Sequence, residues 1–158
     1  MTKLYSYIAI GLLFIGISSC KKDKANAEPE KTPQELIVGD WNMTSWQVLN
    51  YEEGQLVSTQ EDPSPQTEKW FFKSDGTGGV IIDSKSFAVF KYSITNSTVL
   101  LKDYTFTDYK GEPSGASHNI TEEIKELTSF RLVLDNVNDY ISGGVSKRTI
   151  FKGTFSKE

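Results

Sequence analysis

The sequence has little of what thiol and soft-metal chemistry require, because it contains one cysteine, Cys20, and one histidine, His118. A single cysteine forms no internal disulfide, and this pair argues against zinc clusters and Cys-His catalysis. Lysine and arginine are scattered without a cluster, and the formal net charge is −4, so nucleic acid is not an expected partner. No metal and no cofactor are predicted, and His118 is expected on the surface in a Gly- and Ser-rich loop.

The apolar run near the N-terminus is too short to cross a bilayer as a helix. Ile8 to Ile17 contains about ten residues, roughly half of the ~20 that a membrane-spanning helix needs. One positive charge, Lys3, precedes the run, and polar residues follow it. This arrangement is typical of the apolar core of a signal peptide.

The four residues at the end of that run, Ile17-Ser18-Ser19-Cys20, resemble the lipobox of bacterial lipoproteins. The resemblance implies a signal peptide over residues 1–19, cleaved before Cys20, and acyl chains such as palmitate on that cysteine. Two or more acyl chains anchor a protein stably to a membrane. Lys21, rather than an aspartate, follows the cysteine, and by similarity this implies the outer membrane of the cell envelope.

Residues 20–35 are interpreted as the lipidated cysteine and a flexible tether. Between Lys21 and Glu35 there is no aromatic residue and no aliphatic residue larger than alanine, while Pro29 and Pro33 interrupt the segment. Such a composition does not bury enough apolar area to offset the entropy of ordering. One short helical turn from Thr32 onward stays open, because proline is tolerated in a first turn.

Residues 36–158 form one domain, for which the sequence predicts an all-β fold. Aromatic residues make up 12% of the chain and fall mostly in short alternating runs separated by turn residues. About eight strands result, which is the number at which a closed barrel is filled by side chains or holds one small ligand. The predicted irregular stretches are Asn50 to Gln66 (with a short strand considered at Gln55 to Thr59), Thr107 to Ser117 and Asn136 to Gly144.

Two local features leave alternatives open. Trp41 and Trp46 would face opposite sides of a regular strand. Either the strand bends near Thr44-Ser45 and turns both inward, which we favour, or one tryptophan lies outside the core. Asn119 to Leu127 fits a helical stripe with a capping box, and it also fits a strand.

Gly39-x-Trp41 on a first strand resembles the signature of lipocalins, and the chain as a whole resembles bacterial lipocalin-like lipoproteins. Further matching pieces are the turn Phe72 to Gly78, the run Phe90 to Ile94, and Ile124 to Thr128 leading to Leu132-Val133-Leu134. The resemblance implies a single antiparallel up-and-down barrel and favours a strand at Asn119 to Leu127. It also implies that a late arginine packs across Trp41, for which Arg148 is the matching residue.

Large aromatic residues on the predicted strands are the best candidates for a binding site. Trp46, Trp70, Tyr92 and Tyr104 are expected to face the interior or its mouth, as pocket walls or simply as core. The one dense carboxylate group, Glu122, Glu123 and Glu126, alternates with Lys125 and apolar residues and is interpreted as a solvated face.

No catalytic residue is predicted, so we expect a protein that is not an enzyme. The favoured function is an envelope-anchored lipocalin-like lipoprotein that binds a small apolar or amphipathic ligand in its barrel. The alternative is an interaction module whose loops Asn50 to Gln66 and Asn136 to Gly144 contact another envelope protein or a glycan. A continuous cavity lined by the aromatic residues would favour the first hypothesis, and a packed interior would favour the second.

Overall fold

The computed structural model describes residues 30–63, 67–108 and 110–158. The signal segment, Cys20 and the tether before residue 30 lie outside these ranges. Within the described ranges, no helix has the length and apolar character needed to span a membrane. The elements are one short helix, α1 (Pro33–Ile37), and nine strands: β1 (Gly39–Glu52), β2 (Gln55–Asp62), β3 (Glu68–Phe72), β4 (Thr77–Ile82), β5 (Lys85–Ile94), β6 (Thr98–Phe106), β7 (His118–Leu127), β8 (Arg131–Ser142) and β9 (Val145–Lys157).

The strands form a closed antiparallel barrel, which confirms the predicted all-β, up-and-down fold. From β3 to β9 each strand pairs with the next in the chain, and β9 returns to pair with β1. The start of β1 pairs with β3 and its second half pairs with β2, so eight strands close the barrel and β2 is additional. Closure removes the two free edges that an open sheet of these eight strands would have, whereas β2, as the outermost strand, keeps one free edge.

A bulge in β1 turns both of its tryptophans into the barrel, as the parity of the sequence predicted. The pairing of β1 with β9 shifts register between Met43 and Ser45, which leaves Thr44 unpaired. The exposed Thr44 hydroxyl donates to the Thr154 carbonyl at 3.1 Å. One extra residue reverses the alternation of the strand, so Trp46 faces the same side as Trp41.

Helix α1 closes one end of the barrel. Thr32 caps it by accepting a hydrogen bond from Glu35 N, and the Glu35 carboxylate accepts from Thr32 N at 2.7 Å. Ile37, at the end of the helix, is fully buried in the core. The helical turn left open by the sequence is therefore present, and regular structure begins at Pro33, three residues before the start expected for the folded domain.

Trp41 lies at the centre of this closed end, with an exposed fraction of 0%. Its indole Nε1 donates to the Ile37 carbonyl at 2.7 Å, and Lys157 Nζ lies 4.8 Å from the ring centroid while donating to the Leu36 carbonyl. Gly39 permits this approach, because a Cβ there would lie 2.6 Å from Lys157 Cε and its φ is +133°.

The assignment of Arg148 as the cation over Trp41 is wrong. Because β9 runs antiparallel to β1, the residue opposite Trp41 is Lys157, at the end of β9. Arg148 pairs instead with Tyr51, near the other end of β1, and its guanidinium donates to Asp139 at 2.7 and 2.9 Å.

The core begins next to α1 and extends to Tyr104, Leu134 and Phe155, which border the open half of the barrel. Aromatic rings pack there in a chain, with Phe72 5.7 Å from Phe90 and 5.1 Å from Tyr92 between centroids. The remaining buried members are Val80, Ala88, Ile94, Val99, Leu101, Tyr104, Leu132, Leu134 and Phe155. Packing is therefore complete at the closed end, and any space for a ligand lies at the opposite end.

Two segments expected to be loops are largely strands, and the short strand considered at Gln55 to Thr59 is present within β2. Residues 50–52 and 55–62 continue β1 and form β2, and residues 136–142 extend β8 against β9. Two-residue turns join these strands, and their positive φ values, +50° and +81° at Glu53-Gly54 and +61° and +78° at Gly143-Gly144, are those that tight hairpins favour. The hairpins lie side by side as a four-stranded extension in the order β2-β1-β9-β8, which we call the wing (residues 49–62 and 137–150).

The structure agrees with the prediction of an irregular stretch at residues 107–117 and of a strand at residues 119–127. The described part of residues 107–117 is irregular apart from a bridge between Thr107 and Pro113. Residues 118–127 form β7, as the lipocalin resemblance favoured, because their alternating side chains face either the barrel interior or the solvent.

Candidate ligand-binding site

The open half of the barrel contains a cavity of about 320 Å³. Apolar side chains supply most of its wall, and they come from β1, β3, β8 and β9. Gly153 pairs with both Trp46 and Leu134, and the ring of Phe155 packs over it, since an added Cβ there would lie 2.7 Å from that ring. The lining residues are Met43, Trp46, Gln47, Glu68, Trp70, Glu122, Leu134, Asn136, Phe151, Lys152, Gly153 and Phe155.

A side opening connects the cavity with the gap between β7 and β8. These strands pair only from Glu123 and Asp135 toward the closed end, so the barrel wall separates beyond that point. A second space lies in this gap, and it shares Trp70, Glu122, Asn136 and Phe151 with the main cavity. The two spaces therefore share one wall, and Asn136 crosses the gap by donating to the Thr121 carbonyl and to Glu122.

Three of the four predicted aromatic residues meet at this site. Trp46 and Trp70 line the main cavity, and Tyr104 borders the gap between β7 and β8 together with Trp70. Tyr92 lies elsewhere: its hydroxyl donates to the Lys73 carbonyl at 2.7 Å, at the closed end of the barrel. Tyr92 belongs to the packed core and does not line the cavity.

Glu122 is a buried carboxylate in the cavity wall, which corrects its assignment to a solvated face. Its exposed fraction is 8%, and its register partner on β6 is the fully buried Val99, so it faces inward. Asn136 Nδ2 donates to its Oε1 at 3.2 Å. Burial raises the pKa of Glu122 to about 7, the Asn136 hydrogen bond opposes this rise, and the nearby Asp135 adds to it.

Glu68 supplies a second carboxylate on the opposite wall. Its Oε1 accepts a hydrogen bond of 2.6 Å from Trp70 Nε1, which fixes the indole against the cavity. Burial raises the pKa of Tyr104 to about 12, and the charges of Glu68 and Glu122 both add to the rise. Both carboxylates therefore act on one tyrosine, which places them around the same part of the site.

Sequence reasoning missed both glutamates, although strand parity could have found them. Glu122 alternates with Ile120 and Ile124, and Glu68 alternates with Trp70 and Phe72, so each shares a face with apolar neighbours. For Glu122 the signal was hidden because the segment also fitted a helix. For Glu68 the signal was hidden because the residue follows a polar stretch and begins its strand.

The remaining candidate residues add no chemistry to the site. His118 is exposed, as expected, but it is the first residue of β7 rather than part of a loop. Across the described ranges, His, Cys, Asp and Glu side chains form no group of three or more that could hold a metal ion. Cys20 lies outside those ranges.

Comparison with known proteins gives no identity. No family model matches the chain, and no curated protein and no solved structure matches it.

Proposed function

We propose that this protein is an envelope-anchored, non-enzymatic lipocalin-like lipoprotein whose barrel binds one small apolar or amphipathic molecule. The observation that supports the proposal is the cavity of about 320 Å³ at the open end of a closed eight-stranded barrel. Its walls are mainly apolar and aromatic with few polar groups, which is the usual composition of a small-molecule site. The complete packing around Trp41 gives this cavity a fixed floor.

The anchoring part of the proposal is supported by the sequence. The apolar run Ile8 to Ile17 precedes the lipobox-like Ile17-Ser18-Ser19-Cys20, and the polar segment after Cys20 would serve as a spacer. Residence in the outer membrane is the location that Lys21 favours. In this arrangement the barrel would take up molecules at the cell envelope.

Native mass spectrometry of the full chain, purified from its own host, tests the binding function. We expect a co-purifying small molecule whose occupancy falls about ten-fold when Trp46→Ala removes part of the wall. Phe130→Ala is the control, because Phe130 is 66% exposed on the turn before β8, at the closed end. Empty wild-type protein, or equal occupancy in the two variants, would contradict the proposal.

The alternative function, an interaction module, is favoured by one observation. The two segments assigned to it come together in the wing, which exposes Leu56, Val57, Tyr140 and Ile141, the last at 78%. These exposed apolar residues lie on β2 and β8, the two outer strands of the wing, and exposed apolar area can contact a partner. Recovery of empty protein together with a co-eluting envelope protein, in the same purification, would favour this alternative.

A further inference from the structure

We propose that the ligand of this cavity carries a cationic head, such as an alkylammonium group, which binds between the carboxylates of Glu68 and Glu122 while its apolar part contacts Trp46, Trp70 and Phe151. The inference rests on the proposed function, because it names the chemical class of the ligand for the same site. It depends on the charge of the cavity, whereas the proposed function depends on its shape.

Two carboxylates in one mainly apolar cavity are the first observation. Glu68 on β3 and Glu122 on β7 both line the cavity, and both act electrostatically on Tyr104 of β6. Each has one oxygen held by a neutral donor, Trp70 Nε1 for Glu68 and Asn136 Nδ2 for Glu122. The other oxygen of Glu122 accepts no hydrogen bond from the described residues, although Glu122 is only 8% exposed. Among those residues Asp135 Oδ1 is the one side-chain atom that is both fully enclosed and unpaired, so the free oxygen of Glu122 remains accessible from the cavity.

The second observation is that the described part of the chain supplies no cation to this pair. The ion pairs formed by the described residues include neither Glu68 nor Glu122. Lys152 of β9 borders the cavity, but its register partner is Asp135 of β8, which in turn pairs with Glu123. Residues directly opposite share a face of the sheet, so the Lys152 side chain lies on the face of Glu123, and Glu122 lies on the other face. Burial raises the pKa of Asp135, and the charge of Lys152 opposes this rise.

A cationic ligand would relieve the cost of this arrangement. An ionised carboxylate in an apolar site is unfavourable unless it is paired, which is the reason that burial raises the pKa of Glu122 to about 7. An ammonium group beside it stabilises the ionised form and gains a charge-assisted hydrogen bond. The faces of Trp46 and Trp70 add a favourable environment for the same cation. An anionic ligand would meet two like charges.

Three ligands with the same octyl chain separate charge from apolar burial: octylammonium, octanol and octanoate. Each is titrated by calorimetry into the full chain in a non-ionic detergent, with a detergent-only blank. We expect octylammonium to bind at least about ten-fold more tightly than octanol, and octanoate to bind most weakly. We also expect octylammonium affinity to fall as the pH drops below about 7, because protonation of Glu122 removes its charge while the amine stays protonated.

Glutamine variants test the two carboxylates directly. Glu122→Gln and Glu68→Gln are each expected to weaken octylammonium binding about ten-fold and to leave octanol binding within about two-fold. Glu123→Gln is the matched control, because Glu123 is the next residue on β7 and its carboxylate pairs with Lys125 on the outer face. It should change the affinity for none of the three ligands. Because two separate positions are tested, misfolding of one variant, visible by circular dichroism, leaves the other to decide.

The outcomes distinguish this inference from the proposed function. If octanol binds as tightly as octylammonium, or if both glutamine variants keep the wild-type preference for octylammonium, the cationic ligand is refuted and apolar binding stands. If none of the three ligands binds the wild-type chain and the protein from its host is empty, the proposed function fails together with the inference.

Discussion

The indole of Trp41 connects three parts of the chain at the closed end of the barrel. It contacts the end of α1 through the Ile37 carbonyl, belongs to β1, and lies under the ammonium of Lys157 at the end of β9. Burial lowers the pKa of Lys157, and Lys31 adds to this effect. The indole therefore stabilises the docking of α1 as well as the core.

Trp41→Phe is expected to lower the free energy of unfolding by about 2–4 kcal/mol, because it creates a cavity and leaves the buried Ile37 carbonyl without its donor. Urea denaturation measures the change. Trp46→Phe is the matched control and should cost less than about 1 kcal/mol, since Trp46 is only half-buried at the cavity wall. Equal losses in the two variants would show that Trp41 has no special structural role.

At the scale of single residues, aromatic size made part of the site predictable. Trp46 and Trp70 were identified because large aromatic side chains on strands must be buried or line a pocket. Glu68 and Glu122 were missed because inward-facing carboxylates break the binary pattern on which strand prediction depends. Lys157 was missed because the register of β1 against β9 is a long-range property.

At the scale of elements, the wing differs from the barrel because it has no packed core. All of β2 except Asp62 is exposed, and the end of β8 from Asn138 to Ser142 is exposed as well. The polar composition of these segments predicts loops. They form strands because tight turns join them and they pair with each other, and side chains add cross-strand hydrogen bonds, such as that from the Thr149 hydroxyl to Asn50 Oδ1 at 2.9 Å. Sequence patterns detect strands by one buried face, and here that face is absent.

Amide hydrogen exchange should separate these two kinds of strand. We expect the hydrogen-bonded amides of β2 to exchange at least about a hundred-fold faster than those of β5 and β6, because local opening of the wing exposes little apolar area. Gly54→Ala should accelerate exchange in the wing further and leave β5 unchanged. Its φ is +81° and no atom lies within 4 Å of the added Cβ, so only backbone strain acts. Equal protection of β2 and β5 would contradict this expectation.

At the scale of the whole molecule, closure of the barrel was predictable and its asymmetry was not. The count of strands and the short turns between them led to an eight-stranded barrel. Which half is solid depends on α1 and Trp41 filling one end, while β7 and β8 separate at the other end, beside the cavity. These arrangements follow from strand register, which local sequence patterns do not determine.

The free energy of unfolding of the whole molecule depends on pH because the buried carboxylate of Glu122 lies in the cavity wall. Glu122 has a pKa of about 7 in the folded state against an ordinary value of 4.5, so between these values the folded chain holds more protons than the unfolded chain. The free energy of unfolding contributed by this group therefore falls as the pH rises through that window, by about 3 kcal/mol in total. At still higher pH the contribution is constant.

Urea denaturation at several pH values, from about 4 to about 8, measures the contribution of Glu122 to the free energy of unfolding. The contribution is the difference in that free energy between the wild-type chain and Glu122→Gln. The glutamine keeps an acceptor for Asn136 and has no proton to lose, so the variant should gain about 3 kcal/mol relative to wild type across the window. Groups elsewhere in the chain titrate in both proteins and cancel. Glu61→Gln, an exposed position on β2, should follow the wild-type curve. Parallel curves for the wild type and Glu122→Gln would mean that Glu122 reaches solvent when it ionises, and that the cavity does not desolvate a charge.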